Sequence, residues 1–220
     1  MVITANIATQ PSRAKQLVKA VESLQPQVDK VRVFANQFKP FSSYDNVEVV
    51  ELEQNLADNA KFQGVDNPDE YYFSCDDDII YPPDYVEYTL DRLRSYPHCI
   101  VTHHGRKLQG SGRNYYYGHQ TYHCLREVAE DQFIDVAGTG VSAFNTNMFR
   151  PYIPEEPTMM SDLLFSLDAS VKEVEIIILK HSMGWIRSQR VEGSIYLEQN
   201  SDCQIQSRYA DKIFKNKTLI

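Results

Sequence analysis

Apolar residues along the chain fall into short continuous runs separated by stretches with an i, i+3, i+4 spacing, and the order of these segments predicts the fold. Val2 to Ala8 reads as a first strand. Pro11-Ser12 starts a helix in which Leu17, Val18, Val21 and Leu24 share one face, and Pro26 stops it. Val31 to Phe34 and Val47 to Val50 are two more strands, with a short helix or turn at Leu56 to Phe62. Tyr71 to Ser74 is an apolar strand that runs directly into Asp76-Asp77-Asp78. After Pro82-Pro83, Asp84 stands as an N-cap with Glu87 three residues on, the pattern of a capping box, and Val86, Leu90 and Leu93 give that helix its buried stripe. Strand, helix, strand, strand, helix at these spacings predicts a doubly wound α/β sheet.

The second half is less regular. Cys99 to Thr102, Phe133 to Val136, Val141 to Phe144 and Val174 to Leu179 read as strands joined by loops rich in Gly, Pro and Tyr, with a helix near Ser161 to Ser170. The expected class is α/β: a single domain over residues 1–220 with a central mixed, mostly parallel sheet flanked by helices and a helix at the C-terminal end.

Composition narrows the function. In 220 residues, 42% hydrophobic content is enough for a sizeable core. The net charge of −8 argues against nucleic acid as a partner, because that affinity rests on a basic surface. The longest apolar run, Ile176 to Leu179, is far short of the about 20 residues of a membrane-spanning helix, so no membrane span is expected. The N-terminal MVITANIATQPSR has no basic segment leading into an apolar one. Cys75, Cys99, Cys124 and Cys203 are widely spaced with no CxxC pair, which suits reduced thiols and a cytoplasmic location.

The candidate chemistry centres on the acidic triplet. In open α/β sheets ligands bind outside the carboxyl ends of strands. Three adjacent carboxylates there repel one another unless a cation sits between them. Residues i and i+2 of an extended segment face one side, so Asp76 and Asp78 are expected to converge while Asp77 points elsewhere. Hard oxygen donors favour Mg²⁺ or Mn²⁺, held through one or two carboxylates plus substrate phosphates. The plain alternative is a solvated turn after a strand.

The run YYFSCDDDIIYPPDYVEYTLDRL resembles the metal-binding DxD segment of GT-A-fold glycosyltransferases, which use nucleotide-diphosphate sugars. The opening strand with Thr9-Gln10-Pro11-Ser12-Arg13, and Asp58-Asn59-Ala60-Lys61, are similar to the nucleotide-gripping segments of that family. The chain as a whole is similar to the small GT-A transferases encoded by chlorella viruses, over about its first 185 residues, which would put it in the host cytoplasm. The resemblance implies a GT-A-like domain with a nucleotide-binding half (1–100) and an acceptor-side half (101–220). It implies a Mn²⁺- or Mg²⁺-dependent hexosyl transfer from a UDP-sugar, glucose by default, to a hydroxyl of a glycan or glycoprotein.

The same resemblance assigns roles. Asp78 would be the direct metal ligand, Asp76 would contact ribose or metal, and Asp77 would border the nucleotide sugar. His181, after the Ile176 to Leu179 strand, would complete the metal's ligands, or is a strand-end histidine bonded to backbone. Arg13 would reach the diphosphate, helped by a helix N-terminus. Asp58, Asn59 and Lys61 would hold uracil, ribose or phosphates, with Ala8 and Thr9 giving backbone contacts to the base. Gly138 and Thr139 would border the donor sugar, or form a tight turn between strands. Asp162 would be the general base of an inverting enzyme, or merely a first-turn acid favoured by the helix dipole.

Two further stretches remain. His119 and His123 are four apart, but HQTYH lacks the glutamate of HExxH, which disfavours zinc; His103 to Lys107 and Gly110 to Tyr117 are expected to form an acceptor-side loop. The absence of GxGxxG and GxxxxGK[ST] removes the dinucleotide and P-loop readings. The alternatives still open are a Mg²⁺-dependent phosphoryl-transfer or phosphatase enzyme and a catalytically silent sugar-binding domain. The DxDx[TV] pattern of one phosphatase class fails at Ile80.

Overall fold

A computed structural model describes residues 1–40, 44–154, 160–189 and 203–218. Its frame is an eight-stranded mixed sheet flanked by helices. Strands β1 (Val2–Thr9), β2 (Lys30–Asn36), β3 (Val47–Leu52) and β4 (Glu70–Asp76) run parallel in the order β3-β2-β1-β4. Next to β4 lies β11 (Val141–Asn145), antiparallel to it and to β6 (Cys99–Thr102). The sheet continues with β12 (Glu175–Ile178), parallel to β6, and ends on the antiparallel β9 (Gln132–Ile134). The interior of β1 is buried residue after residue because both faces of a parallel sheet are covered.

Helix α1 (Ala14–Leu24) buries Leu17, Ala20, Val21 and Leu24. Val18, expected on that stripe, lies one position round the helix and faces solvent. Helix α2 (Tyr85–Ser95) buries Val86, Leu90 and Leu93 as its spacing predicts. Its capping box is not made. Asp84 has φ −102° and ψ 8° rather than an extended conformation, so its carboxylate does not reach back to the first turn. Instead Oδ1 of Asp84 accepts the Trp185 indole N–H at 2.9 Å.

The predicted strand Phe133 to Val136 divides at Asp135. Its first part is β9, and its second, β10 (Val136–Ala137), joins β7 (Gly105–Lys107) and β8 (Gln120–Tyr122) in a small antiparallel sheet. The break has a polar cause. The buried Asp135 carboxylate accepts the Leu108 N–H at 2.7 Å and pairs with Lys107 at 3.3 Å. Helix α3 (Ser161–Val171) packs on helix α4 (Gln204–Thr218), whose Ala210 and Ile213 close a satellite core with Leu108, Tyr115, Val136 and Leu163. None of the described helices is long and apolar enough to cross a membrane. The four cysteines are unpaired.

The two ends of the parallel strands are chemically unlike. At the amino end, Arg32 and Glu70 form a buried two-pronged ion pair, and the Thr4 hydroxyl donates to the same carboxylate at 3.0 Å. That end is closed and electrically balanced. The carboxyl end is open and acidic.

Candidate functional site

At the carboxyl ends of β1, β2 and β4 lies a cavity of about 560 Å³. Its floor comes from Ala8 and Thr9 at the end of β1, Asn36 at the end of β2, and the acidic triplet. Asp58 and Lys61, on the 3-10 helix Ala57–Phe62, form one wall, and Ser161 and Asp162, at the start of α3, form another. Tyr116, Arg106 of β7 and Gln206 of α4 complete the side made by the second half of the chain. Ten residues singled out in the sequence line this one space: Ala8, Thr9, Arg13, Asp58, Lys61, Asp76, Asp77, Asp78, Thr139 and Asp162.

All three acids face the cavity, contrary to the alternation expected from an extended chain. The strand ends at Asp76, and Asp77-Asp78 form a turn before β5 (Ile79–Ile80), so the period of two lapses where it was applied. Oδ1 of Asp76 accepts from the Lys61 ammonium at 2.5 Å. Oδ2 of Asp77 accepts the Thr9 hydroxyl at 2.7 Å. Oδ2 of Asp78 lies 3.5 Å from the Arg13 guanidinium. Arg13 belongs to the 3-10 turn Pro11–Arg13 and not to the first turn of α1, which begins one residue later.

Burial and nearby carboxylates raise Asp77 and Asp78. Partial burial pushes Asp77 up to about 7, with Asp76 and Asp78 adding to the rise and the Thr9 hydrogen bond opposing it. Asp78 is pushed up to about 6, by burial first and then by Asp76. Lys61 is fully buried, which alone would lower its pKa. The carboxylates of Asp76, Asp58 and Asp162 outweigh that and hold the ammonium above its ordinary range. Burial also raises Asp162, although its Oδ1 accepts both the backbone N–H and the hydroxyl of Thr139 at 2.7 Å.

A glycine lets these groups meet. A Cβ on Gly140 would lie 2.0 Å from Oδ2 of Asp76, so the carboxylate rests against bare backbone. We expect Gly140→Ala to dislodge Asp76 from Lys61 and cost about 1–3 kcal/mol, read as a lower melting temperature. Gly138 does not line the cavity; a Cβ there would meet the His104 ring at 2.6 Å. Asn59 is buried, with its amide 3.4 Å from the Pro154 carbonyl, and also stands outside the cavity wall. Asp58 is engaged across the cavity, where Oδ2 accepts the Ser161 hydroxyl at 2.5 Å and its N–H at 3.2 Å.

His181 does not join the acidic triplet at the cavity. Its Nδ1 is 2.8 Å from the Leu179 carbonyl, and its ring packs 5.3 Å from that of His103. It is a buried strand-end histidine, the plainer of its two sequence readings. Sequence reasoning did not single out Asn36, which ties the wall together. Its amide donates to the carbonyls of Thr9 and Ala57 at 3.1 Å, and its oxygen accepts the Leu56 N–H at 2.8 Å. The one available signal was an amide at the end of a buried apolar strand. Gln206 carried no local signal.

The triplet's carboxylate oxygens are the donor type that a hard divalent cation takes. Asp77 and Asp78 present carboxylate oxygens to the cavity, and Asp76 adds one beside them. Among the described residues, three ligand atoms come within 4.8 Å of one another only at His104, His123 and Cys124, not at the triplet. A cation at the triplet would therefore take one or two carboxylates and complete its sphere with phosphate oxygens and water. At the His/Cys cluster, Nδ1 of His104 already accepts the Cys124 N–H at 3.4 Å, and Nδ1 of His123 the Leu125 N–H at 3.2 Å. No protein family matches the sequence, and no curated protein matches it either.

Proposed function

We propose that the protein is a metal-dependent glycosyltransferase of the GT-A type, moving a hexose from a UDP-sugar to a hydroxyl of a glycan or glycoprotein. The observation that carries this reading is one cavity that collects the acidic triplet, Arg13, Lys61 and Asp162 at the carboxyl ends of parallel strands. Its about 560 Å³ lies within the usual range for a small-molecule site.

In this reading Asp78, with Asp76 or Asp77, holds Mn²⁺ or Mg²⁺. When bound, the ion supplies Lewis-acid stabilisation of the charge that develops on the departing diphosphate. Arg13, ion-paired to Asp78, adds a cation at the same place. Asn36 and the 3-10 helix shape the end that receives the nucleoside. Asp162 serves as the base that takes the acceptor hydroxyl's proton. Its raised pKa makes it a stronger base than an exposed carboxylate, and Thr139 leaves Oδ2 for that proton.

The test is thermal unfolding with UDP, GDP and CMP, each with and without Mn²⁺. A ligand at 100 times its dissociation constant stabilises the fold by about 2.7 kcal/mol. For a chain of this size that raises the melting temperature by roughly 5–10 °C. A Mn²⁺-dependent shift with UDP that disappears in Asp78→Asn is the expected result. The absence of a shift with every nucleotide would sink the proposal and turn attention to metal-dependent phosphatase activity.

A further inference from the structure

Three basic side chains other than histidine line the cavity among the described residues, and two of them are spoken for: Lys61 by Asp76 and Arg13 by Asp78. The third, Arg106, is 8% exposed and has no ion pair among the described residues. Its Nε is buried without a hydrogen-bond partner. One Nη donates to the Tyr115 hydroxyl at 3.1 Å, and the guanidinium lies 4.4 Å from the Tyr115 ring centroid and 5.7 Å from that of Tyr116. Backbone pairing of β7 with β10, Arg106 opposite Val136, fixes the base of the side chain.

A buried guanidinium without a counter-charge is costly, and an unmet N–H adds to the cost. Stacking on tyrosine supplies only part of the compensation. What the arrangement does provide is a guanidinium held against two aromatic rings, with one N–H unmet, on a residue that lines a ligand-sized space. An arginine so held is suited to take a carboxylate or phosphate oxyanion through its N–H fork.

We propose that Arg106 receives an oxyanion of the bound substrate, a phosphate or a carboxylate, at the side of the cavity built by β7, Tyr116 and Gln206. The inference rests on reading the cavity as a nucleotide-sugar site. The oxyanion has two possible sources there, the donor's diphosphate and the carboxylate of an acidic sugar.

Calorimetric titration in Mn²⁺ separates them, with uridine, UDP, UDP-glucose and UDP-glucuronate as probes on wild type, Arg106→Gln and Arg106→Lys. Arg106→Gln is expected to bind the oxyanion-bearing probes roughly 10- to 100-fold more weakly while uridine binding stays unchanged. Arg106→Lys is expected to recover only part of the loss, because a lysine lacks the planar fork. A loss shared by UDP and both sugar nucleotides assigns the oxyanion to the diphosphate; a loss confined to UDP-glucuronate assigns it to the sugar. Equal affinities of wild type and Arg106→Gln for every probe overturn the inference and leave the nucleotide-sugar reading standing. A wild type that binds none of the probes overturns both. Should Arg106→Gln fail to fold, undiminished affinity in Arg106→Lys overturns the inference in its place.

Discussion

Replacing Lys61 by Met is expected to destabilise the protein by about 3 kcal/mol at pH 8, the cost of breaking a buried ion pair from one side. Met keeps the packing of the aliphatic stem, so the loss reports the charge. Lys61 is 1% exposed and its ammonium sits 2.5 Å from Asp76, with Asp58 and Asp162 adding to its stabilisation. Without it, the carboxylates of Asp76, Asp58 and Asp162 lose the cation that stands among them. For a chain of this length the drop in melting temperature should be roughly 6–12 °C.

The pH dependence gives the stricter test. The pKa of Lys61 is raised on folding, so its contribution is fully present below the unfolded value near 10.5 and is lost only as the pH climbs through the higher folded value. In the variant, by contrast, Asp162, already raised by burial, loses the Lys61 charge that opposes the rise and takes up its proton more readily as the pH falls. The deficit should therefore shrink between pH 8 and pH 5. A deficit that is constant over that range would mean Lys61 contributes by packing alone. UDP binding should fall with the same substitution, because Asp76 is no longer held at the cavity floor.

What was legible in the sequence follows from which signals are local. The mixed sheet flanked by helices could be read because its central strands are continuous apolar runs and its helices carry one-sided stripes, as in Leu17, Val21 and Leu24. Strands β7, β8 and β10 are two or three residues long and carry no period to detect. The acids could be placed at the carboxyl end of an apolar strand from the sequence itself, whereas Lys61 and Asp162 were joined to them by the resemblance to GT-A segments and not by any spacing. The local rules failed wherever the backbone left regular geometry. The turn at Asp77-Asp78 cancelled the alternation, and the non-extended Asp84 sent its side chain to Trp185. Arg106, expected in an acceptor-side loop, lies instead in the strand β7, and Asn36 and Gln206 reach the cavity through long-range packing that no spacing encodes.

The acidic triplet itself should cost stability until a cation arrives. Asp77 and Asp78 have folded pKa values of about 7 and about 6, above the unfolded value near 3.9. Between pH 4 and pH 7 the folded state thus binds more protons than the unfolded one, and stability from these groups rises as the pH falls through that window. At pH 8 both are ionised in both states and the penalty is fully present. Asp77→Asn should therefore stabilise the metal-free protein at pH 8 by on the order of 2 kcal/mol, a value reduced for partial solvent screening, and by nearly nothing at pH 4. The amide oxygen can still accept from Thr9, so the hydrogen bond at 2.7 Å is kept. A cation competes with the same protons, and its affinity should fall about tenfold per pH unit below about 6. Mn²⁺ titrations from pH 5 to pH 8, beside melting curves of wild type and Asp77→Asn, read both effects. An Asp77→Asn protein no more stable than wild type at pH 8, together with Mn²⁺ affinity that does not vary with pH, would show that the triplet is a solvated turn rather than a site held open for a cation.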